Sequence, residues 1–156
     1  MKLNDKVALI TGGGRGIGKA IALAYAREGA KLAICARTAG EIEETAKEIK
    51  ALGTDCLAVV CDVSLEEPVS KLIEKVQESF GRIDVLINNA GVMTRPAPIA
   101  ELEVKKWDYT MNVNLRGPFL VTRAVLPLMM GQKRGAIINV SSSIGRGAYA
   151  NFGAYA

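Results

Sequence analysis

Apolar positions along this chain alternate between two spacings. Short unbroken runs mark strands: VALIT (Val7 to Thr11), KLAICA, CLAVVCDV, IDVLINNAG and GAIINVSS. Between them, apolar residues recur three and four positions apart, the period of a helix with one buried face. The first such stretch places Ile17, Ala20, Ile21, Ala24 and Tyr25 on one face and stops at Gly29. The second, AGEIEETAKEIKALG, turns Ile42, Ala46, Ile49 and Leu52 inward and stops at Gly53. The third starts near Ser64, a residue type suited to N-capping, with Glu66 and Glu67 where the helix dipole favours acids. Its inward positions are Val69, Leu72, Ile73, Val76 and Phe80. After a loop containing Pro96 and Pro98, two further helices are expected, around Glu101 to Met111 and Asn114 to Met130.

Strands that are apolar throughout belong in parallel sheets covered on both faces. Regular strand–helix–strand order then requires right-handed crossovers. The expected fold is α/β, a Rossmann-like doubly wound parallel sheet in three layers, with residues 1–156 forming a single domain. Composition agrees, with 49% hydrophobic and 23% charged residues. The net charge of +4 is scattered, without the basic stripe of a nucleic-acid binder. Cys35, Cys56 and Cys61 are odd in number, lack CxxC spacing and lie in apolar runs, so they are expected to be buried free thiols in a reducing, cytoplasmic setting. No signal-like or membrane-spanning run is evident. Histidine is absent, which removes Ser–His triads and His metal sites. No metal is expected, and proton chemistry falls to Tyr, Lys, Asp, Glu or Ser.

TGGGRGIG (Thr11 to Gly18) joins the first strand to the first helix. Bare amides at a helix N-terminus bind anions, and missing Cβ atoms allow a diphosphate to approach. The spacing Gly12, Gly16, Gly18 is GxxxGxG, not the usual GxGxxG. A tight turn needing positive φ is the plainer alternative. Folds that bind NAD usually place an acid about twenty residues further on. Here Arg37 stands nineteen residues past Gly18, no acid precedes Glu41, and Arg15 offers a second guanidinium. A planar donor fork suits phosphate, which favours NADP over NAD. Both arginines could also be ordinary surface residues.

Six segments occur in one order: TGGGRGIG, CDVS (Cys61 to Ser64), DVLINNAG (Asp84 to Gly91), NVNLRGPF (Asn112 to Phe119), GAIINVSS, and a tyrosine thirteen residues past Ser142. Together they resemble the short-chain dehydrogenase/reductase family. The resemblance implies that Gly12, Gly14, Arg15, Gly16, Ile17, Gly18, Arg37, Asp62, Val63, Asn89, Ala90 and Gly91 bind the dinucleotide, with Asp62 at the adenine ring. It implies that Asn114 holds a water in a proton relay, that Ser142 bonds the substrate oxygen and that Tyr155 is the acid/base. Asn112, Ser141, Ser143 and Tyr149 are neighbours less well matched to those roles. A free phenol titrates near 10, so a cation must lower it; the family uses a lysine four residues on, a position this sequence of 156 residues does not reach. The expectation is therefore that this sequence is part of a longer polypeptide, cut within the YxxxK motif. The implied activity is NADP-dependent hydride transfer between nicotinamide and a carbonyl or secondary-alcohol substrate, such as a 3-oxoacyl thioester or a small sugar. A nucleotide-binding module without catalysis is the alternative. A homodimer or homotetramer through the helices near Trp107 and Val121 is implied too.

Overall fold

The computed structural model describes residues 1–147 and 149–156. Five strands form one parallel sheet in the order β3-β2-β1-β4-β5. They are β1 (Val7–Thr11), β2 (Lys31–Ala36), β3 (Cys56–Val60), β4 (Val85–Asn88) and β5 (Ala136–Asn139). The order reverses direction at β1, as a doubly wound sheet requires. Helices α1 (Gly16–Arg27) and α2 (Ala39–Ala51) cover one face. Helices α3 (Glu66–Phe80) and α5 (Gly117–Gln132) cover the other. Short α4 (Val104–Met111) precedes α5. The strand pleat divides the core accordingly. Val7 and Leu9 join one apolar cluster with α3 and α5, while Ile10 joins the second with α1 and α2.

Several local expectations change. The buried stripe of α1 is Gly18, Ala22 and Ala26. Ile17 is 63% exposed, Ala20 and Ala24 are exposed, and Ile21 and Tyr25 are only partly buried. Close approach to the sheet selects small residues there, which a count of bulky apolar positions passes over. Leu52 is exposed past the end of α2. Ser64 does not cap α3, whose N-cap is Leu65; its hydroxyl donates to Asp62 Oδ1 at 2.6 Å instead. Val121 is fully buried against the sheet, so it is not part of an outward face.

The two helices expected around Glu101 to Met111 and Asn114 to Met130 are one nearly continuous element. A 3₁₀ turn spans Ile99–Glu101, and between α4 and α5 the chain winds as a π-helix over Asn112–Arg116. There the N–H of Gly117 donates to the carbonyl of Asn112, five residues back. Pro118 explains part of this. It carries no N–H, so the carbonyl of Asn114 has no donor at the α-helical i+4 position. Winding of this kind is often found at functional sites.

At the N-terminal edge of the sheet, buried Asp84 links three strands. Its Oδ2 accepts from the N–H of Val7 at 3.0 Å, its own N–H donates to Val7, and its carbonyl accepts from Ala136. Arg82 pairs with its Oδ1, and Arg134 Nε lies 3.7 Å from the same oxygen. β5 pairs on one side only and leaves Ile138 and Val140 exposed.

Burial opposes ionisation of Asp84, but the bonds from Arg82 and Val7 outweigh it and hold the carboxyl below the usual carboxylate range. With the folded pKa below the unfolded one, the stabilisation is complete above pH ~4 and is lost as pH falls through the folded value. Asp84→Asn is expected to cost about 1.5–3 kcal/mol at pH 7. In urea titrations the gap between variant and wild type should narrow as pH is lowered toward ~3. A gap independent of pH would show that the carboxylate charge contributes nothing.

Candidate active site: two adjoining clefts at the C-terminal edge of the sheet

The glycine loop folds back on the end of β4 because of two side chains and one missing one. Pairing between β1 and β4 ends at Ile10 opposite Ile87. Beyond it, buried Thr11 Oγ1 accepts from the N–H groups of Asn89 and Ala90, both at 3.0 Å. Asn89 Nδ2 donates to the carbonyls of Thr11 at 2.9 Å and Gly12 at 3.2 Å. Gly12 has φ 66°, a conformation open to glycine. A Cβ at Gly18 would overlap the Gly12 carbonyl and lie 2.5 Å from Asn89 Nδ2. α2 ties in from the side, where Thr45 Oγ1 donates to the carbonyl of Gly14 at 2.9 Å. Thr11 and Thr45 were not singled out from sequence, since their partners lie 78 and 31 residues away.

This knot borders a cleft of about 320 Å³. Gly12, Gly14, Arg15, Gly16, Ile17, Arg37, Asp62, Val63, Asn89, Ala90 and Gly91 all line it. Gly18, also expected at the dinucleotide, lies behind the loop and acts through the close approach just described. Sequence reasoning missed Cys35, Thr38, Glu41, Cys61 and Val113 as lining residues. Contact with Cys61, together with burial, pushes the Cys35 thiol well up, so it stays protonated and apolar in character.

The cleft suits a dinucleotide. Arg15, the N-cap residue of α1, makes no side-chain cap, so the first N–H groups of the helix are left for an anion. A Cβ at Gly16 would meet nothing within 4 Å, which leaves that side open to the cleft. Asp62 uses Oδ1 for the N–H and hydroxyl of Ser64. Its Oδ2 has no hydrogen-bond partner among the described residues. Arg15 Nε lies 3.8 Å from Glu41 Oε2 and is highly exposed.

A second cleft, of about 1000 Å³, adjoins the first across Asn89, Ala90, Gly91 and Val92. Asn114, Ser142 and Tyr155, from three separate segments, all line it. Ser141 does too. Asn112 and Tyr149 are exposed and outside it, and Ser143 is not part of its lining. Ser142 Oγ accepts from the N–H of Ile144 at 3.2 Å, capping a 3₁₀ turn over Ser143–Arg146. A hydroxyl fixed as an acceptor keeps its own proton free to donate. Asn114 clasps the backbone of Val92: Oδ1 accepts from its N–H and Nδ2 donates to its carbonyl, each at 2.8 Å. One donor and one acceptor of the amide are thus used in shaping the wall. The main-chain carbonyl of Asn114 has no α-helical donor, because position 118 is proline.

Among the described residues no group of His, Cys, Asp or Glu could hold a metal ion, and no helix is long and apolar enough to cross a membrane.

Residues 6–156 match the short chain dehydrogenase family. The chain is 41% identical over 145 residues to the 3-oxoacyl-(acyl-carrier-protein) reductase FabG of Thermotoga maritima, covering 93% of this chain and 58% of that one. It is 42% identical over 144 residues to a 3-oxoacyl-(acyl-carrier-protein) reductase of Synechocystis, covering 92% of this chain and 58% of that protein. Its fold superposes on an NAD+-bound xylitol dehydrogenase with a TM-score of 0.96 at 35% identity, covering 99% of this chain and 60% of that structure. A metagenomic short-chain oxidoreductase in complex with NADP gives 0.94 at 37% identity, covering 99% and 70%. The chain thus spans about three fifths of the length of the curated relatives it matches.

Replacing Thr11 by the isosteric Val strands the N–H groups of Asn89 and Ala90, at an expected cost of about 1–3 kcal/mol. Gly18→Ala is expected to cost more, because the obstructing atoms include backbone. Urea unfolding measures both. A neutral Gly18→Ala would contradict the close approach.

Proposed function

The chain belongs to the short-chain dehydrogenase family, and from that premise we propose that it carries the nucleotide site and proton-handling residues of an NADP-dependent oxidoreductase. Its substrate class is a carbonyl compound and the matching secondary alcohol. The observation that carries the reading is the shared wall. Residues expected at the dinucleotide line one cleft, those expected at the reacting oxygen line the next, and Asn89 to Val92 separate them.

When bound, the nicotinamide supplies the hydride. The remaining work belongs to this chain. The amides of Gly14 to Ile17 and the dipole of α1 hold the diphosphate. Asp62 is the residue that would accept from the adenine, and Val63 lines the cleft next to it. Arg37 and Arg15 hold a phosphate on the adenosine ribose. Ser142 donates its free proton to the substrate oxygen, which polarises the carbonyl. The Tyr155 phenol exchanges a proton with that same oxygen. The Asn114 carbonyl holds a water, so that Asn114 serves the relay through its backbone.

The printed activities of the relatives, a 3-oxoacyl reductase and a polyol dehydrogenase, both interconvert a carbonyl and a secondary alcohol. NADP is preferred over NAD on the strength of two guanidiniums at the cleft and the lack of an acid at the end of β2. A cytoplasmic homo-oligomer belongs to the same reading. Exposed Val104 and Trp107 on α4 supply apolar surface for self-association.

The test is a binding titration of NADPH and NADH on wild type and Arg37→Ala. NADPH should weaken by about 1.5–3 kcal/mol, the range for charged hydrogen bonds, with NADH nearly unchanged. Equal losses for both would refute the NADP assignment, and no binding of either would refute the nucleotide site.

A further inference from the structure

The two arginines at the cleft are tethered in different ways. Arg15 lies near a carboxylate, Glu41, at 3.8 Å. Arg37 makes no ion pair among the described residues; its guanidinium carbon sits 5.6 Å from the centroid of the Tyr109 ring. The difference matters for anion binding. A carboxylate competes with any phosphate its arginine could hold, and must be displaced or must share the charge. An aromatic face attracts the cation through its quadrupole, yet leaves all five N–H donors and the full charge for a ligand.

Tyr109 comes from α4, on a separate part of the chain from the end of β2 that supplies Arg37. The next turn of the same element brings Val113 into the cleft lining. The element that walls the nucleotide cleft therefore also provides the shelf for its guanidinium. Tyr109 is 38% exposed, so the ring is not needed to fill the core.

We propose that Tyr109 is a positioning residue for Arg37, holding the guanidinium at the cleft mouth without neutralising it. Arg37, rather than Arg15, then distinguishes a nucleotide bearing a phosphate monoester on its adenosine ribose from one that lacks it. The inference rests on the nucleotide site proposed above and extends it to a residue outside the cleft.

The experiment measures dissociation constants for NADPH and NADH by fluorescence titration. It uses the wild type, Tyr109→Phe, Tyr109→Leu, Arg37→Ala and the Tyr109→Leu/Arg37→Ala double variant. Tyr109→Leu should weaken NADPH about three- to fivefold, the range for an exposed cation–π contact, and leave NADH unchanged. Tyr109→Phe keeps the ring face and should match wild type. Once Arg37 is gone, Tyr109→Leu should change nothing further. NADH binding reports on folding in every variant, so general damage would show as equal losses. Equal losses, a silent Tyr109→Leu with NADPH preference intact, or an effect that persists without Arg37 would each overturn the inference alone. Wild type that binds neither nucleotide would overturn the proposed function and this inference with it.

Discussion

The constraint on which the rest depends is how β1 and β4 part company without leaving backbone groups unpaired. A doubly wound sheet opens a crevice where successive crossovers run to opposite faces. Opening it breaks the ladder, and buried N–H and C=O groups must then find other partners. Here the ladder stops at Ile10 and Ile87, and two side chains continue it. Thr11 takes the N–H groups of Asn89 and Ala90, while Asn89 returns an amide to the carbonyls of Thr11 and Gly12. The strands are held at a side-chain's length instead of a backbone's. Gly18 lets α1 come down onto this knot, which fixes where the helix's N-terminal amides point. The placement of the uncapped start of α1 follows from the stitch, since any atom added at Gly18 would disturb both.

Charge is distributed along the strands in the same sense. At the N-terminal edge, Asp84 gathers Arg82, Arg134 and the N–H of Val7, so that end of the sheet is tied together by its own charged groups. At the C-terminal edge Arg15 has Glu41 at 3.8 Å, but Arg37 makes no ion pair among the described residues. The first turn of α1 is uncapped and Arg37 rests on an aromatic ring. One end of the sheet spends its polar groups on cohesion and the other keeps them for a ligand. Only the second arrangement needs support from distant elements, α2 through Thr45 and α4 through Tyr109.

The sequence made the sheet, the crossovers and the composition of the nucleotide cleft legible, because each is written in local spacing. Apolar runs announce buried strands, and TGGGRGIG carries its own context. What it hid has one of two causes. Small residues carry no hydropathy signal, so the Gly18, Ala22 and Ala26 face of α1 was passed over in favour of Ile17, which is exposed. Long-range partners carry no local signal either. Ser64 is the short-range exception: a hydroxyl there can cap α3 or donate to Asp62 two residues back, and local spacing does not choose between them. Thr11 and Thr45 find their partners tens of positions away, as does Asp84 apart from its neighbour Arg82. The roles of Asn114, Ser142 and Tyr155 came from resemblance, and the shared cleft is what three-dimensional structure adds to them.

That cleft also shows how a polar side chain can be narrowed in function. Ser142 can donate and accept; Ile144 occupies one of its two acceptor positions, and its own proton stays free to donate toward the cleft. Asn114 can do both through its amide; Val92 takes one of each, and Pro118 frees the carbonyl behind it. In each case the backbone occupies part of the side chain's hydrogen-bonding capacity before a ligand arrives. A hydroxyl free to rotate would have to be oriented at the moment of reaction, at a cost in reorganisation that preorganised donors avoid. The π-helical turn at Asn112–Arg116 lies at the same position, where Pro118 already leaves the Asn114 carbonyl without an α-helical donor.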